Sequence, residues 1–324
     1  MKKKAVIFPC DQELSSLATY IDFENYTITG LVVLENSNAL VNNESDIPVI
    51  VVTEVDYENF DSIILVDSEI VRHPFIEESI RREKSVIYIE QEKDFDISCL
   101  EEIKEDQYIT VPIIFVAGVT PYTEKFQVQL ALRKKLQEND YKVSLIGSKR
   151  YSRLFGFHSY PAFMDGNINN EQKIVSFQKY VKYICAKEHP DLILVGIPGG
   201  IMAVDKKHHF DFGVTAFMIS QAIDADYVIM NLLYNKSYTE AQMEEIKQVC
   251  RFRFNFEIDS FHLSNTLLDP TSFAFDRLKF FKLGKREYEQ KINGLYDLLN
   301  PADMDKMYED MITKLSSYNV NQIF

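Results

Sequence analysis

Short β-rich apolar runs alternate with helical patterns along most of this chain, and that alternation limits the folds open to it more than any other feature. In the first third the runs are Ala5 to Phe8, Thr29 to Leu34, Pro48 to Val52, Ser62 to Val66 and Ser85 to Ile89, with helical patterns at Gln12 to Ile21 and Pro74 to Arg82. Short apolar runs bounded by turn residues read as buried strands, and strands that alternate with helices build parallel sheets. A polar segment, Glu90 to Tyr108, predicts one short helix around Cys99 to Lys104 and then gives way to the apolar run Ile109 to Ala117, which sets a domain boundary near residue 108.

Beyond that boundary the alternation resumes. Strands are predicted at Val111 to Ala117, Lys142 to Ile146, Asp191 to Val195 and Tyr227 to Leu232, with helices at Glu124 to Glu138, Asn170 to Lys187 and Val214 to Ile223. A helix at Thr239 to Cys250 opens on the capping box Thr239-Glu240-Ala241-Gln242. Arg251-Phe252-Arg253-Phe254-Asn255-Phe256 has period two and reads as a half-exposed strand. The end of the chain is predicted helical: Lys285 to Leu299, then Asn300 as N-cap and Pro301 at the first helical position, leading Ala302 to Ser317. The expected fold class is α/β, with a small acidic Rossmann-like domain over residues 1–108 and a second α/β domain with C-terminal helices over 109–324.

Composition supports two folded domains, since 46% hydrophobic and 13% aromatic residues in 324 suffice for a core in each. No apolar run is long enough to span a bilayer, and the run after Met1-Lys2-Lys3-Lys4 is too short for a signal peptide, so a cytoplasmic location without membrane contact is expected. The four cysteines (Cys10, Cys99, Cys185, Cys250) form no CxxC pair, which argues against a zinc ribbon, an iron–sulfur cluster or a disulfide framework. Acidity is confined to the first third: residues 1–108 hold 24 Asp and Glu against 9 Lys and Arg, or −15, whereas the remainder holds 25 against 26, or +1. Such a face repels nucleic acid and favours a basic partner, or serves solubility alone.

The chemistry concentrates where the strand ending at Ala117 runs into Gly118-Val119-Thr120-Pro121-Tyr122-Thr123-Glu124-Lys125-Phe126 and then into a helix. A working phosphate loop wraps an anion with backbone N–H groups and a helix N-terminus, reaches the outer phosphates with Lys, and holds magnesium with a following Ser or Thr. The spacing from Gly118 to Lys125 resembles the P-loop of dethiobiotin-synthetase-type proteins, which implies a P-loop-NTPase-like second domain. Two positions depart from that family: Glu124 stands where it has Gly, and Phe126 where it has the magnesium-binding hydroxyl. On the residues alone, Gly118 could equally be a plain strand-to-helix turn, with Glu124 complementing the helix dipole.

A second signature follows in Asp191-Leu192-Ile193-Leu194-Val195-Gly196-Ile197-Pro198-Gly199-Gly200. It resembles the strand of the same superfamily that ends in an acid and a small-residue turn, but Gly196 replaces the acid. With both magnesium ligands gone, little or no magnesium-dependent hydrolysis is expected, because phosphoryl transfer depends on the metal. A nucleotide or phosphate is the only cofactor the loop suggests, and no resident metal is expected. Asp205, His208, His209 and Asp211 form a polar loop placed for remaining chemistry or for a surface contact, and Lys149, Arg150 and Arg153 could meet an anion or a peptide.

In layout, an α/β domain ahead of such a P-loop domain resembles the family that includes D-glutamate N-acetyltransferases. The runs Ala117-Gly118-Val119-Thr120, Lys125-Phe126-Gln127-Val128-Gln129-Leu130 and Ile197-Pro198-Gly199-Gly200 resemble more closely a clostridial family of peptide-maturation-system proteins. That resemblance implies an accessory or scaffold role beside radical-SAM enzymes and Cys-rich precursor peptides, with the precursor peptide or the enzyme as partner and a homodimer as a further expectation. The alternatives are an ATP-dependent or acyl-transferring enzyme acting at the Gly118–Lys125 loop, and a regulatory binder of an anion or nucleotide.

Overall fold

The computed structural model describes residues 2–23, 25–35, 45–89, 103, 108–275, 278–284 and 292–321. The chain divides into two compact units: Met1–Phe95 with Lys149–Ala162, and Asp96–Ser148 with Phe163–Phe324.

The first unit is built on five parallel strands, β1 (Lys3–Phe8), β2 (Tyr26–Val33), β3 (Val49–Val51), β4 (Ser62–Leu65) and β5 (Ser85–Tyr88), in the order β3-β2-β1-β4-β5. This is the doubly wound order of Rossmann-like sheets, read outward in both directions from the first strand. Val6, Phe8, Val32, Ile63 and Leu65 pack with Phe60, Phe75 and Ile76 as a buried cluster. Helix α1 (Gln12–Ser16) is shorter than the expected Gln12 to Ile21 and passes into a 3₁₀ turn at Ala18–Tyr20. The Ser16 hydroxyl donates to the Glu13 carbonyl at 2.7 Å, a local bond that competes with helix propagation. Helix α2 (Pro74–Arg81) begins with Pro in its first turn, as predicted.

In the second unit the strands are β6 (Ile113–Gly118), β7 (Val143–Ile146), β8 (Leu192–Gly196), β9 (Tyr227–Leu232), β10 (Ser260–Leu263) and β13 (Leu295–Tyr296), all parallel. Their order is β13-β10-β9-β6-β8-β7, and a separate antiparallel ribbon joins β11 (Thr266–Leu268) to β12 (Phe280–Lys282). Every residue of β6, β8 and β9 is buried. That explains why these strands read as continuous apolar runs: with both sheet faces covered, no polar alternation is allowed. The helices are α3 (Lys125–Gln137), α4 (Asn170–Glu188), α5 (Val214–Ala222), α6 (Glu240–Phe254) and α7 (Pro301–Asn321).

Capping boxes set two of these helices: Asn169 with Gln172 opens α4, and Thr239 with Gln242 opens α6. Thr239→Ala should cost about 1 kcal/mol. Urea denaturation checks this, and an unchanged midpoint would mean that the cap contributes nothing. Asn300 Oδ1 accepts from the Ala302 N–H at 3.0 Å, the predicted start of α7.

Two expectations are corrected. Arg251 to Phe256 is not a strand, because α6 runs through Phe254 and ends at Asn255, whose φ is 56°. Buried Met243, Cys250 and Phe254 lie at helical spacing and outvote the short period-two pattern. The helix expected over Lys285 to Leu299 is absent where the chain is described, since Leu295–Tyr296 pair with Phe261 and His262 of β10 as an edge strand. Residues 285–291 of that prediction, and nearly all of the one around Cys99 to Lys104, lie outside the described residues. Among the described residues no helix is long and apolar enough to cross a membrane.

Candidate phosphate-loop site

Strand β6 lies between β8 and β9, and the chain leaves it on one side for β7 and β8 before crossing to β9. Open α/β sheets bind ligands at such a switch point, at the carboxyl ends of the strands. The loop of residues 118–125 therefore occupies the position a binding loop requires, and the second signature is bonded to it. The Ile201 and Met202 N–H groups donate to the Gly118 and Val119 carbonyls, each at 3.0 Å, and Val119 N–H donates to Asn231 O at 3.0 Å. A Cβ on Gly200 would stand 2.7 Å from Thr120 Cα, so only glycine allows the two turns to meet this closely.

The loop is left-handed at two positions that carry side chains. Glu124, where the resembled family has Gly, still has φ 59° and ψ 21°, and Tyr122 has φ 63°. A side chain in the left-handed region costs about 1 kcal/mol, so something else holds Glu124 there. Its carboxylate is buried; Oε2 accepts from the Asn265 N–H at 2.8 Å and lies 3.5 Å from His262 Nε2. His262, on β10, is fully buried, and its Nδ1 accepts from the Leu298 N–H at 3.1 Å, which leaves the ring proton on Nε2, facing Glu124. At 3.5 Å that contact is long for a hydrogen bond and acts mainly as an electrostatic one. Burial alone would push the Glu124 carboxyl up, yet the His262 ring, the Asn265 N–H and the Lys282 charge outweigh it and hold the carboxyl below its ordinary value.

Lys125 is also turned inward. Its Nζ donates to the Gly199 and Thr120 carbonyls, the latter at 3.3 Å, and the Thr123 hydroxyl donates to Thr120 O at 3.2 Å. Phe126, at the magnesium-hydroxyl position, is buried. At Gly196, where the resembled family has an acid, a neighbour fills the space: a Cβ there would stand 2.3 Å from Gln129 Oε1 and 2.4 Å from Nε2. The fully buried Gln129 amide is fixed at both ends, donating to Ser148 Oγ at 3.0 Å and accepting from the Ser148 N–H at 3.2 Å.

The other predicted polar residues fall into separate groups. His208 is buried and pairs with Asp205, whereas His209 and Asp211 are exposed, His209 stacking on Phe212 with 4.4 Å between ring centroids. Phe210, Asp211, Phe212 and Gly213 are all left-handed, with φ 44°, 56°, 50° and 72°. Among the described residues no group of three His, Cys, Asp or Glu side chains is placed to hold a metal ion. Lys149, Arg150 and Arg153 belong to the first compact unit, where Lys149 Nζ lies 2.6 Å from Glu13 Oε2 and Leu154 O accepts from the Asp22 N–H.

Sequence reasoning missed Gln129, Asn231, His262 and Asn265. Asn231 carried a signal, as a lone amide inside the apolar run Tyr227 to Leu232; it is fully buried and its Nδ2 donates to Ala117 O at 2.6 Å. His262 carried little, because the strand that holds it was not predicted.

The chain has the fold of a DUF1611 family protein from Anabaena variabilis, with a TM-score of 0.54 over 84% of this chain and 90% of that one at 8% identity. The likeness is one of fold alone. The signal recognition particle receptor FtsY from Elizabethkingia anophelis aligns at a TM-score of 0.32 and 14% identity over 60% of this chain and 61% of that one. No family model matches the sequence, and no curated protein matches it either.

Proposed function

We propose that this protein is a non-hydrolysing binding protein, an accessory or scaffold whose P-loop serves as a closed structural nucleus. The observation that carries this reading is the filling of the catalytic positions by the chain's own groups: Gln129 in the space at Gly196, Phe126 in place of the hydroxyl, and Lys125 Nζ on two backbone carbonyls. A metal-dependent phosphoryl transfer needs an acid and a hydroxyl at two of those positions. The resemblance to peptide-maturation proteins supplies the partner class, a precursor peptide or its radical-SAM enzyme in the cytoplasm, with the protein acting as a homodimer.

Incubation with ATP or GTP and magnesium should give no turnover above that of Lys125→Ala. Turnover that disappears in Lys125→Ala would overturn the reading in favour of an ATP-dependent or acyl-transferring enzyme. Calorimetry against purified precursor peptide and radical-SAM enzyme tests the partner class, and absence of heat with both removes it. The preserved left-handed loop ahead of α3 favours one second reading, a regulatory anion or nucleotide binder that works without metal. Under it, pyrophosphate or a nucleotide raises the melting temperature without magnesium, and Lys125→Ala abolishes the rise.

A further inference from the structure

The first unit carries a cavity that its own topology leaves open. The connection from β3 to β4 crosses β2 and β1 on the sheet face that α2 covers, since Val52, Val55 and Tyr57 join the cluster that contains Phe75 and Ile76. Doubly wound sheets ordinarily cover such a face with helices. Here residues 52–61 supply only two 3₁₀ turns, Val52–Glu54 and Tyr57–Asn59. A cavity of about 430 Å³ remains over β1, β2 and β3. That size lies within the roughly 300–1,000 Å³ of small-molecule sites.

The floor is apolar. Val6 and Phe60 are buried there, and Ile50 lies over Gly30, where a Cβ would stand 2.6 Å from Ile50 Cδ1. Thr29 enters the cavity through a bulge: Ala5 pairs with Ile28 and Val6 with Gly30, so Thr29 is the extra residue, and bulges re-aim side chains in this way. Its hydroxyl shares one proton between the Ala5 and Asn59 carbonyls, each at 3.3 Å. The Asn59 amide donates to Asp56 Oδ2 at 2.8 Å and the Glu58 N–H to Asp56 Oδ1 at 3.0 Å, which fixes that carboxylate.

Charges of both signs stand at the mouth, where Lys4, Glu54 and Asp56 are exposed. The Lys4 N–H donates to Asp61 Oδ2 at 3.0 Å and anchors its backbone. Neither the Lys4 ammonium nor the Glu54 carboxylate has an ion-pair partner among the described residues.

We propose that this cavity binds a small zwitterion with an apolar body, an α-amino acid of the size of leucine or phenylalanine. A purely anionic ligand would meet Glu54 and Asp56, and a purely cationic one would be opposed by Lys4. A neutral apolar molecule would take water from all three charges and return no partner. An ammonium together with a carboxylate answers both signs, and the apolar side chain covers the floor. The site shares no residue with the phosphate loop.

Methyl NMR of the full chain reads occupancy at the floor through Ile50 Cδ1, whose signal Ile50→Val identifies. L-phenylalanine or L-leucine at millimolar concentration should shift that signal saturably. N-acetyl-L-phenylalanine, which lacks the ammonium, and L-phenylalaninamide, which lacks the carboxylate, should each bind about threefold to tenfold more weakly than L-phenylalanine. Lys4→Ala should weaken L-phenylalanine by a similar factor and leave the amide unaffected, whereas Glu54→Gln should weaken L-phenylalanine and leave the N-acetyl compound unaffected. Both residues are exposed, so these variants should fold as the wild type does. An Ile50 signal that moves with neither amino acid overturns the proposal. Equal binding of L-phenylalanine and its two derivatives, or an affinity that neither variant changes, overturns it as well and makes the cavity a site for apolar molecules alone.

Discussion

Gly196→Asp, the change that would place at the end of β8 the acid of the resembled family, should destabilise the protein by about 3 kcal/mol or more and confer no metal-dependent activity. Two effects of about 1–3 kcal/mol each add here. One is overpacking, because the new Cβ falls within 2.5 Å of three Gln129 side-chain atoms. The other is the burial of a carboxylate at a point where the neighbouring amide is already committed to Ser148. Removing the obstacle should reverse much of the loss, so Gly196→Asp combined with Gln129→Ala should be less destabilised than the two single changes add up to. A double-mutant cycle by chemical denaturation measures that coupling. A stable single variant, or strictly additive losses, would show that Gln129 does not fill the space beside Gly196.

The same pair shows why the fold was legible in the sequence while the site was only half legible. Parallel strands buried on both faces leave continuous apolar runs, and glycine turns at their carboxyl ends mark where the chain must pass closely; Gly118, Gly196 and Gly200 could all be picked out on that basis. What fills the space beside a glycine is a tertiary fact. Gln129 lies four residues beyond Lys125 on α3, and nothing in that spacing says that its amide reaches Gly196 and Ser148. Likewise Glu124 read as a departure from a glycine position, but its partners come from Asn265 and from His262 on β10, more than a hundred residues away, in a strand too short to leave a pattern. Helix α6 makes the complementary point: a period of two over six residues was outweighed by a helical period sustained from Met243 to Phe254.

The side chains at these positions are mutually consistent. A buried ammonium without acceptors or a void at residue 196 would each be costly in an interior that tolerates few voids or unpaired donors. Here an amide fills the hole, carbonyls take up the ammonium, and a carboxylate stands at the junction of loop and helix. The loop thus holds the chain's own side chains.

Glu124 should accordingly make the acid stability of the protein measurably dependent on one residue. Because its carboxyl is held below the ordinary value in the folded state, its contribution is fully present above the unfolded carboxyl's titration and is lost as pH falls through the folded one. Glu124→Gln should cost about 1–3 kcal/mol at neutral pH, and the gap to the wild type should close on acidification below about pH 4. Two further variants separate the carboxylate from the backbone. Glu124→Ala loses the Asn265 and His262 contacts and keeps a Cβ in a left-handed conformation, whereas Glu124→Gly loses the same contacts but relieves the strain. Denaturant midpoints should therefore rank wild type above Glu124→Gly, and Glu124→Gly above Glu124→Ala by about 1 kcal/mol. A glycine variant more stable than the wild type would mean that the carboxylate's partners contribute less than the left-handed backbone costs, and that Glu124 is retained for something other than holding the loop shut.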